Sequence, residues 1–332
     1  MREDTHLSSK RRKSQLIIKI LIIPVCIGCS SCISLNPLIL HKTKSISKKH
    51  PVYPYYPFHQ GPVLAVHPIS YFCTVSYPSL TITFLGTGTS SGVPMIGCEC
   101  EVCQSTNQKD NRLRSSLLIQ SPSTTIVIDA GPDFRYQMLR AKVKQLDAIL
   151  FTHPHKDHVA GLDDVRAYNY LSGLPMQVYA NEMTQDVLVR EFPYAFAETR
   201  YPGVPEIKLN TISADPFIIG GIEVLPIEVW HHKMPVLGFR FGGFTYITDA
   251  NRIEAEERMK IAGGDILVLN VLRKEKHISH FTLEEGISVG KDLGNKETYF
   301  THISHQLGKH DDVENELPES FFLAYDELQL KL

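Results

Sequence analysis

Thr152-His153-Pro154-His155-Lys156-Asp157-His158 follows directly on the apolar run Ala148-Ile149-Leu150-Phe151, which reads as a buried strand. His153, His155, Asp157 and His158 are four potential cation ligands, packed into one short stretch. In an extended loop, residues i and i+2 project to one side, so His153 and His155 can share one ion while Asp157 and His158 turn toward a second. Such a crowd of three imidazoles and a carboxylate is unfavourable without a cation, so the stretch reads as a metal site rather than a polar loop.

Outward from that stretch, short β-branched runs alternate with helical patterns from Leu80 to the end of the 332-residue sequence. The patterning predicts strands at 81–85, 115–120, 124–129, 148–151, 177–180, 222–229, 236–241, 244–248, 266–269, 297–301 and 322–325. It predicts helices within 133–142, 159–172, 181–190, 253–261, 283–293 and 310–317. Hairpin-joined strands early and late mix with strand-helix-strand units, which argues against a single parallel sheet and for an α/β (α+β) fold of two sheets flanked by helices.

The His-x-His-x-Asp-His order resembles the signature of the metallo-β-lactamase-fold hydrolases, a superfamily of binuclear metalloenzymes. The resemblance implies an αββα sandwich of two mixed sheets, with two divalent ions (Zn or Mn) at the sheet edge. It implies further ligands by position. His231, opening His231-His232-Lys233, resembles the third histidine of the first ion, although strand alternation alone does not choose between His231 and His232. Asp249 in Tyr246-Ile247-Thr248-Asp249 resembles the carboxylate shared by both ions. His302 in Thr301-His302-Ile303-Ser304-His305 resembles the last ligand of the second ion, beside Asp157 and His158.

The cysteines fall as Cys26, Cys29 and Cys32, then Cys73, then Cys98, Cys100 and Cys103, an odd count in tight clusters that is no disulfide framework. Cys98-x-Cys100-x-x-Cys103 places three thiolates within six residues, one ligand short of a closed tetrahedral zinc site. The triplet resembles that of phosphodiesterases of the PhnP type, and the resemblance implies His305 as the fourth ligand of a structural zinc. It also implies a catalytic, non-ligand histidine at His280 in Ser279-His280-Phe281, with His277 a weak competitor. The expected reaction is hydrolysis of a small or cyclic phosphodiester, of the phosphoribosyl cyclic phosphate kind. In it, hydroxide formed between the ions attacks phosphorus, and His280 as imidazolium protonates the leaving oxygen. Asp157 and Asp249 serve the chemistry as ligands.

Two other motifs near the first strand carry less. The loop Leu85-Gly86-Thr87-Gly88-Thr89 lacks the spacing of a nucleotide loop and reads as a tight turn beside the ions. Arg112 and Arg114 read as a solvated strand entry rather than a phosphate site.

Charge limits the substrate. Residues 1–79 carry 10 Lys and Arg against 2 acids, and the rest of the chain is left at about −10. A tRNA 3′-processing endonuclease of the same superfamily is the nearest alternative, but residues 159–230 hold 4 basic and 10 acidic side chains, a poor grip on a polyanion. No extended nucleic acid is expected as partner. A non-catalytic, zinc-stabilised carrier or interaction protein of the same fold is the other alternative, and a homodimer is compatible with either. Residues 1–79 read as a disordered or signal- and anchor-like leader ahead of a catalytic domain at 80–332. Cytoplasmic location is expected, with export or membrane anchoring through residues 10–40 as the alternative.

Overall fold

A computed structural model of the chain describes residues 79–199 and 201–332. The leader expected over residues 1–79, with its anchor-like stretch at 10–40, lies outside the described residues but for Ser79. Among the described residues no helix is long and apolar enough to cross a membrane.

Two seven-stranded mixed sheets face one another among the described residues. The first contains β1 (Thr81–Gly86), β2 (Ser116–Gln120), β3 (Thr125–Ile128), β4 (Ala148–Leu150), β5 (Met176–Ala180) and β6 (Ile207–Thr211). The second contains β7 (Phe217–Ile219), β8 (Ile222–His231), β9 (Met234–Phe241), β10 (Phe244–Tyr246), β11 (Ile266–Asn270), β12 (Glu297–Thr301) and β13 (Phe321–Leu323). The last strand, β14 (Gln329–Lys331), returns to the first sheet and pairs antiparallel with β1. The first sheet therefore runs β14-β1-β2-β3-β4-β5-β6, and the second is ordered β7 through β13. Each sheet has three antiparallel pairings followed by three parallel ones. The two halves share one topology, a repeat not visible as sequence similarity.

Alternation along each strand builds three apolar layers. Ile126 and Ile128 of β3 face Phe239 and Phe244 across the space between the sheets, where Phe84 and Tyr246 are also buried. Val127 points the other way, into a layer with Phe134, Met138 and Leu188 of the helices α1 (Phe134–Arg140), α2 (Lys156–Val159), α3 (Arg166–Ser172), α4 (Glu182–Glu191) and α5 (Pro193–Phe196). On the far side, Leu267 and Leu269 of β11 pack with Ile261, Leu283 and Val289 of the helices α6 (Ala255–Ile261) and α7 (Leu283–Leu293), with Val313 of α8 (His310–Glu314) closing that layer. The architecture is two sheets flanked by helices, as the patterning predicts, arranged as the αββα sandwich that the resemblance implies.

The departures from the predicted elements have physical causes. β6, β7 and β14 go unread in the sequence: β7 and β14 span three residues each, too few to show a pattern, and β6 mixes Lys208 and Asn210 with its apolar residues. The helix expected over 159–172 is broken: α2 ends at Val159, a 3₁₀ turn spans Leu162–Val165, and only then does α3 begin. At the break the Gly161 amide leaves the helix ladder and donates to the Ala130 carbonyl at 2.8 Å, and the chain passes so close to Gly131 that a Cβ on Gly161 would lie 2.1 Å from the Gly131 carbonyl oxygen.

Candidate metal centre

The parallel strands of both sheets deliver their C-terminal ends to one edge, the usual place for a site in open sheets of this kind. β3 leads into Asp129, β4 into His153, β10 into Asp249, and β12 into His302. The His153–His158 stretch leaves β4 extended and coils into α2, with His155 at the N-cap. The turn is held by its own backbone: the amides of His158 and Val159 donate to the His155 carbonyl. It is also pressed close to the preceding loop, since a Cβ on Gly131 would meet the Asp157 carbonyl oxygen at 2.0 Å.

His153, His158, Asp249 and His302 are buried, Asp157 and His231 are half-buried, and His155 is exposed at the rim. His153 Nε2 lies 3.0 Å from His155 Nδ1. The His231 ring approaches both, with centroids 5.9 Å and 5.1 Å away. Its Nδ1 is 2.9 Å from the Ser279 carbonyl, to which it donates, turning Nε2 toward the cluster. His232 lies in the hairpin turn at φ 57°, exposed, with its amide donating to Asn251 Oδ1, so the structure points His231 and not His232 inward. Donor atoms of Asp157, His158, Asp249 and His302 lie within 4.8 Å of one another, as do those of His231, Asp249 and His280. Asp249 belongs to both groups.

The donor set fits divalent cations. His158 Nδ1 is 2.6 Å from Asp129 Oδ2, and donation there leaves the Nε2 lone pair facing Asp157 Oδ2 at 3.1 Å and Asp249 Oδ2 at 3.2 Å. Nε2 is buried and without a hydrogen-bond partner. A lone pair aimed at two carboxylates calls for a positive charge between them. Burial disfavours charge on His158, but Asp157, Asp249 and Asp129 together carry it well above the usual histidine range, so without an ion a proton on Nε2 supplies the positive charge that a bound cation would replace. Burial would raise Asp249, yet His302 and His158 hold it well below the usual carboxylate range. Burial pushes His153, His231 and His302 down, toward the neutral form that ligates metal.

His280 is buried beside the cluster, stacked on His302 with centroids 5.0 Å apart and Nδ1 3.8 Å from Asp249 Oδ1. Burial pushes its imidazole down to about 3. Burial thus favours the neutral ring in the free protein, whereas the imidazolium expected from the sequence is the form that acts in the reaction.

Cys98, Cys100, Cys103 and His305 form a second cluster, with donor atoms all within 4.8 Å. His305 Nδ1 lies 3.4 Å from Cys98 Sγ and 3.3 Å from Cys100 Sγ. Tetrahedral zinc, with bonds of about 2.3 Å to sulfur and about 2.0 Å to nitrogen, sets such edges at about 3.5 Å. The His305 contact lowers the Cys100 thiol to about 6, while burial raises Cys103 to about 11.

Several residues that hold the site were not legible as such. Asp129, fully buried, accepts from the Thr152 amide and hydroxyl as well as approaching His158. Thr89 Oγ1 and Ser115 Oγ each lie 3.2 Å from a nitrogen of His302, which places the glycine loop against the cluster. The one sequence hint for Asp129 is an echo: Asp129-Ala130 and Asp249-Ala250 both follow an apolar strand. Arg112 corrects the solvated reading of the two arginines. It is fully buried and bound to Thr87, the Ala324 carbonyl and His310, and Arg114 pairs with Asp133.

Comparison with known proteins agrees with this fold. An octanoyltransferase of Porphyromonas gingivalis is 39% identical over 248 residues, which is 74% of this chain and 50% of that protein. A ribonuclease Z of a Nostoc species is 28% identical over 165 residues, 48% of this chain and 46% of that one. The chain thus spans about half the length of the curated relatives it matches. The crystal structure of a diphosphatase from the PhnP family superposes with a TM-score of 0.72 at 39% identity, covering 76% of this chain and 97% of the other. Residues 124–303 match the β-lactamase superfamily domain, a span that holds Asp129, the whole His153–His158 stretch, Asp249 and His302, and by that match the chain belongs to this family.

Proposed function

We propose that the chain is a metal-dependent hydrolase that cleaves a small phosphodiester, of the cyclic phosphoribosyl kind expected from the PhnP-type resemblance. The observation that carries the reading is the place of Asp249, whose Oδ2 lies 3.2 Å from both His158 Nε2 and His302 Nδ1 and whose Oδ1 faces His280. His153, His155 and His231 would hold one ion, Asp157, His158 and His302 a second, and Asp249 both. Cys98, Cys100, Cys103 and His305 would hold a structural zinc. Two divalent cations so bound, zinc or manganese, supply Lewis-acid stabilisation of the phosphoryl oxygens and lower the pKa of water.

The chain's own residues do the rest. Asp129 and the Ser279 carbonyl fix the ring orientations of His158 and His231. With Asp157 and Asp249 committed as ligands, His280 is the group left to move a proton to the leaving oxygen. An anionic phosphate beside its ring offsets the burial that keeps it neutral, so substrate and proton arrive together. The reading follows the PhnP-family structure rather than the name octanoyltransferase, because half of that relative lies outside the match.

The test is turnover of bis-p-nitrophenyl phosphate and of an alkyl phosphodiester by the wild-type chain and by His280→Ala. The variant should keep its ions and lose roughly 10²–10⁴ in kcat on the alkyl ester, and far less on the activated ester, whose leaving group needs no proton. Equal losses on both would remove His280 from the proton path, and turnover surviving removal of all metal would reject the hydrolase mechanism. A second reading, cleavage of a phosphoanhydride, is favoured by the diphosphatase activity named for the 39% identical structure. Faster turnover of a dinucleoside diphosphate than of any diester would select it.

A further inference from the structure

Asn270, the last residue of β11, is fully buried and forms no part of the donor clusters. The main-chain ladder between β10 and β11 stops just beyond Tyr246, with the Ile247 amide donating to Val268. Two residues later the chain turns at Asp249, a non-glycine residue at φ 54°. There the Asn270 side chain takes over from the missing peptide. Its Oδ1 accepts from the Ala250 amide at 2.7 Å, and its Nδ2 donates to the Ala250 carbonyl at 2.9 Å. The same carbonyl accepts from the Phe281 amide at 3.0 Å, and the Phe281 carbonyl accepts from Leu272 at 3.0 Å. One primary amide thus grips the residue after Asp249, and through that residue's carbonyl it grips the residue after His280.

We propose that Asn270 is a positioning residue that holds the Asp249 carboxylate and the His280 ring in one frame. The proposal rests on Asp249 acting as ligand and His280 as proton donor. Three facts separate it from a bystander core amide. Both polar ends of Asn270 are spent on a single residue, that residue follows the left-handed Asp249, and its carbonyl is shared with the segment that carries His280. A buried amide so used fixes geometry at the cost of leaving two orphan groups whenever it is removed.

Co²⁺ titration against a competing chelator reads the Asp249 arm. Asn270→Ala should weaken the imidazole–carboxylate sites by ten- to a hundredfold, the usual effect of losing an outer support of a ligand. The thiolate-to-Co²⁺ absorption of the Cys98–Cys103 site should stay unchanged, since that site shares no bond with Asn270. A double-mutant cycle reads the His280 arm: on an alkyl phosphodiester the kcat cost of Asn270→Ala should fall to within about twofold in the His280→Ala background, because the two act as one unit. Wild-type Co²⁺ affinity together with additive kcat costs would overturn the proposal. If Asn270→Ala does not fold, Asn270→Asp carries both readings, since it keeps the size and the acceptor for Ala250 N–H but turns a lone pair against the Ala250 carbonyl. Should the wild-type chain bind Co²⁺ only at the cysteines, the metal-site reading fails, and the link is then judged by amide exchange at Phe281. Exchange there should quicken about tenfold in the variant, and unchanged protection would refute the link.

Discussion

Asp129 and Asp249 both adopt left-handed backbone, at φ 63° and 54°, and His302 does so at 57°. Such conformations cost about 1–3 kcal/mol outside glycine and persist only where the surroundings over-determine them. Here each aims a side chain at the same buried cluster. The inward turn of His231 and the outward turn of His232 give a residue-scale prediction: His231→Ala should lose the ion it shares with His153 and His155, and His232→Ala should retain wild-type metal content by mass spectrometry or elemental analysis. The reverse pattern would reassign the ligand. His310 gives another. It is buried with its Nδ1 3.1 Å from Arg112, and burial, then Arg112 and Lys109, push it down to about 4 from an ordinary 6.5, against the weaker pull of Asp311 and Asp110. The unfolded chain therefore takes up the proton first, so this contribution to stability is complete above about pH 6.5 and is lost as pH falls toward 4. His310→Gln keeps an acceptor for Arg112 without the titration. The Tm gap between wild type and this variant should accordingly be wider at about pH 7.5 than at about pH 5; a gap independent of pH would show that His310 is not the titrating group.

At the scale of elements, the turn after β12 carries two duties. His302 enters the imidazole–carboxylate cluster and His305 meets the cysteines, three residues apart on one short loop. Cys100→Ser should remove one zinc from the chain, loosen residues 301–305, and lower activity although no ligand of the imidazole cluster has changed. Unchanged zinc stoichiometry would dismiss the cysteine site. The sequence made this turn easy to suspect, because closely spaced cysteines and histidines are rare and chemically costly. Eleven strands were legible because their apolar and β-branched runs are set off by turn residues. Asp129 and Asn270 were not legible. A single carboxylate or amide after an apolar strand looks the same whether it faces water or is locked inside, and only the three-dimensional contacts of Thr152, His158 and Ala250 distinguish the two. The break after α2 was hidden because close approach of Gly131 and Gly161 is a long-range contact that local propensity does not encode.

At the scale of the molecule, the three apolar layers and both donor clusters are assembled from residues 80–332. A chain beginning at Leu80 is expected to fold and to turn over the diester, with circular dichroism and activity as the checks; an insoluble, inactive product would move the boundary of the catalytic unit upstream. The closing of β14 on β1 has a further consequence. The Leu332 amide donates to the Leu80 carbonyl at 2.9 Å, and the Leu80 amide to Leu332 at 3.3 Å, so the two ends of the sandwich touch. If a short linker joined them and the chain were opened in the exposed segment 213–216, between β6 and β7, the rearranged polypeptide would spell out the second sheet in full and then the first, strand by strand in spatial order. The fold is in effect circular, and such a circular permutant should recover native secondary structure and bind its ions, while the two seven-strand pieces expressed separately should reassociate into a working whole.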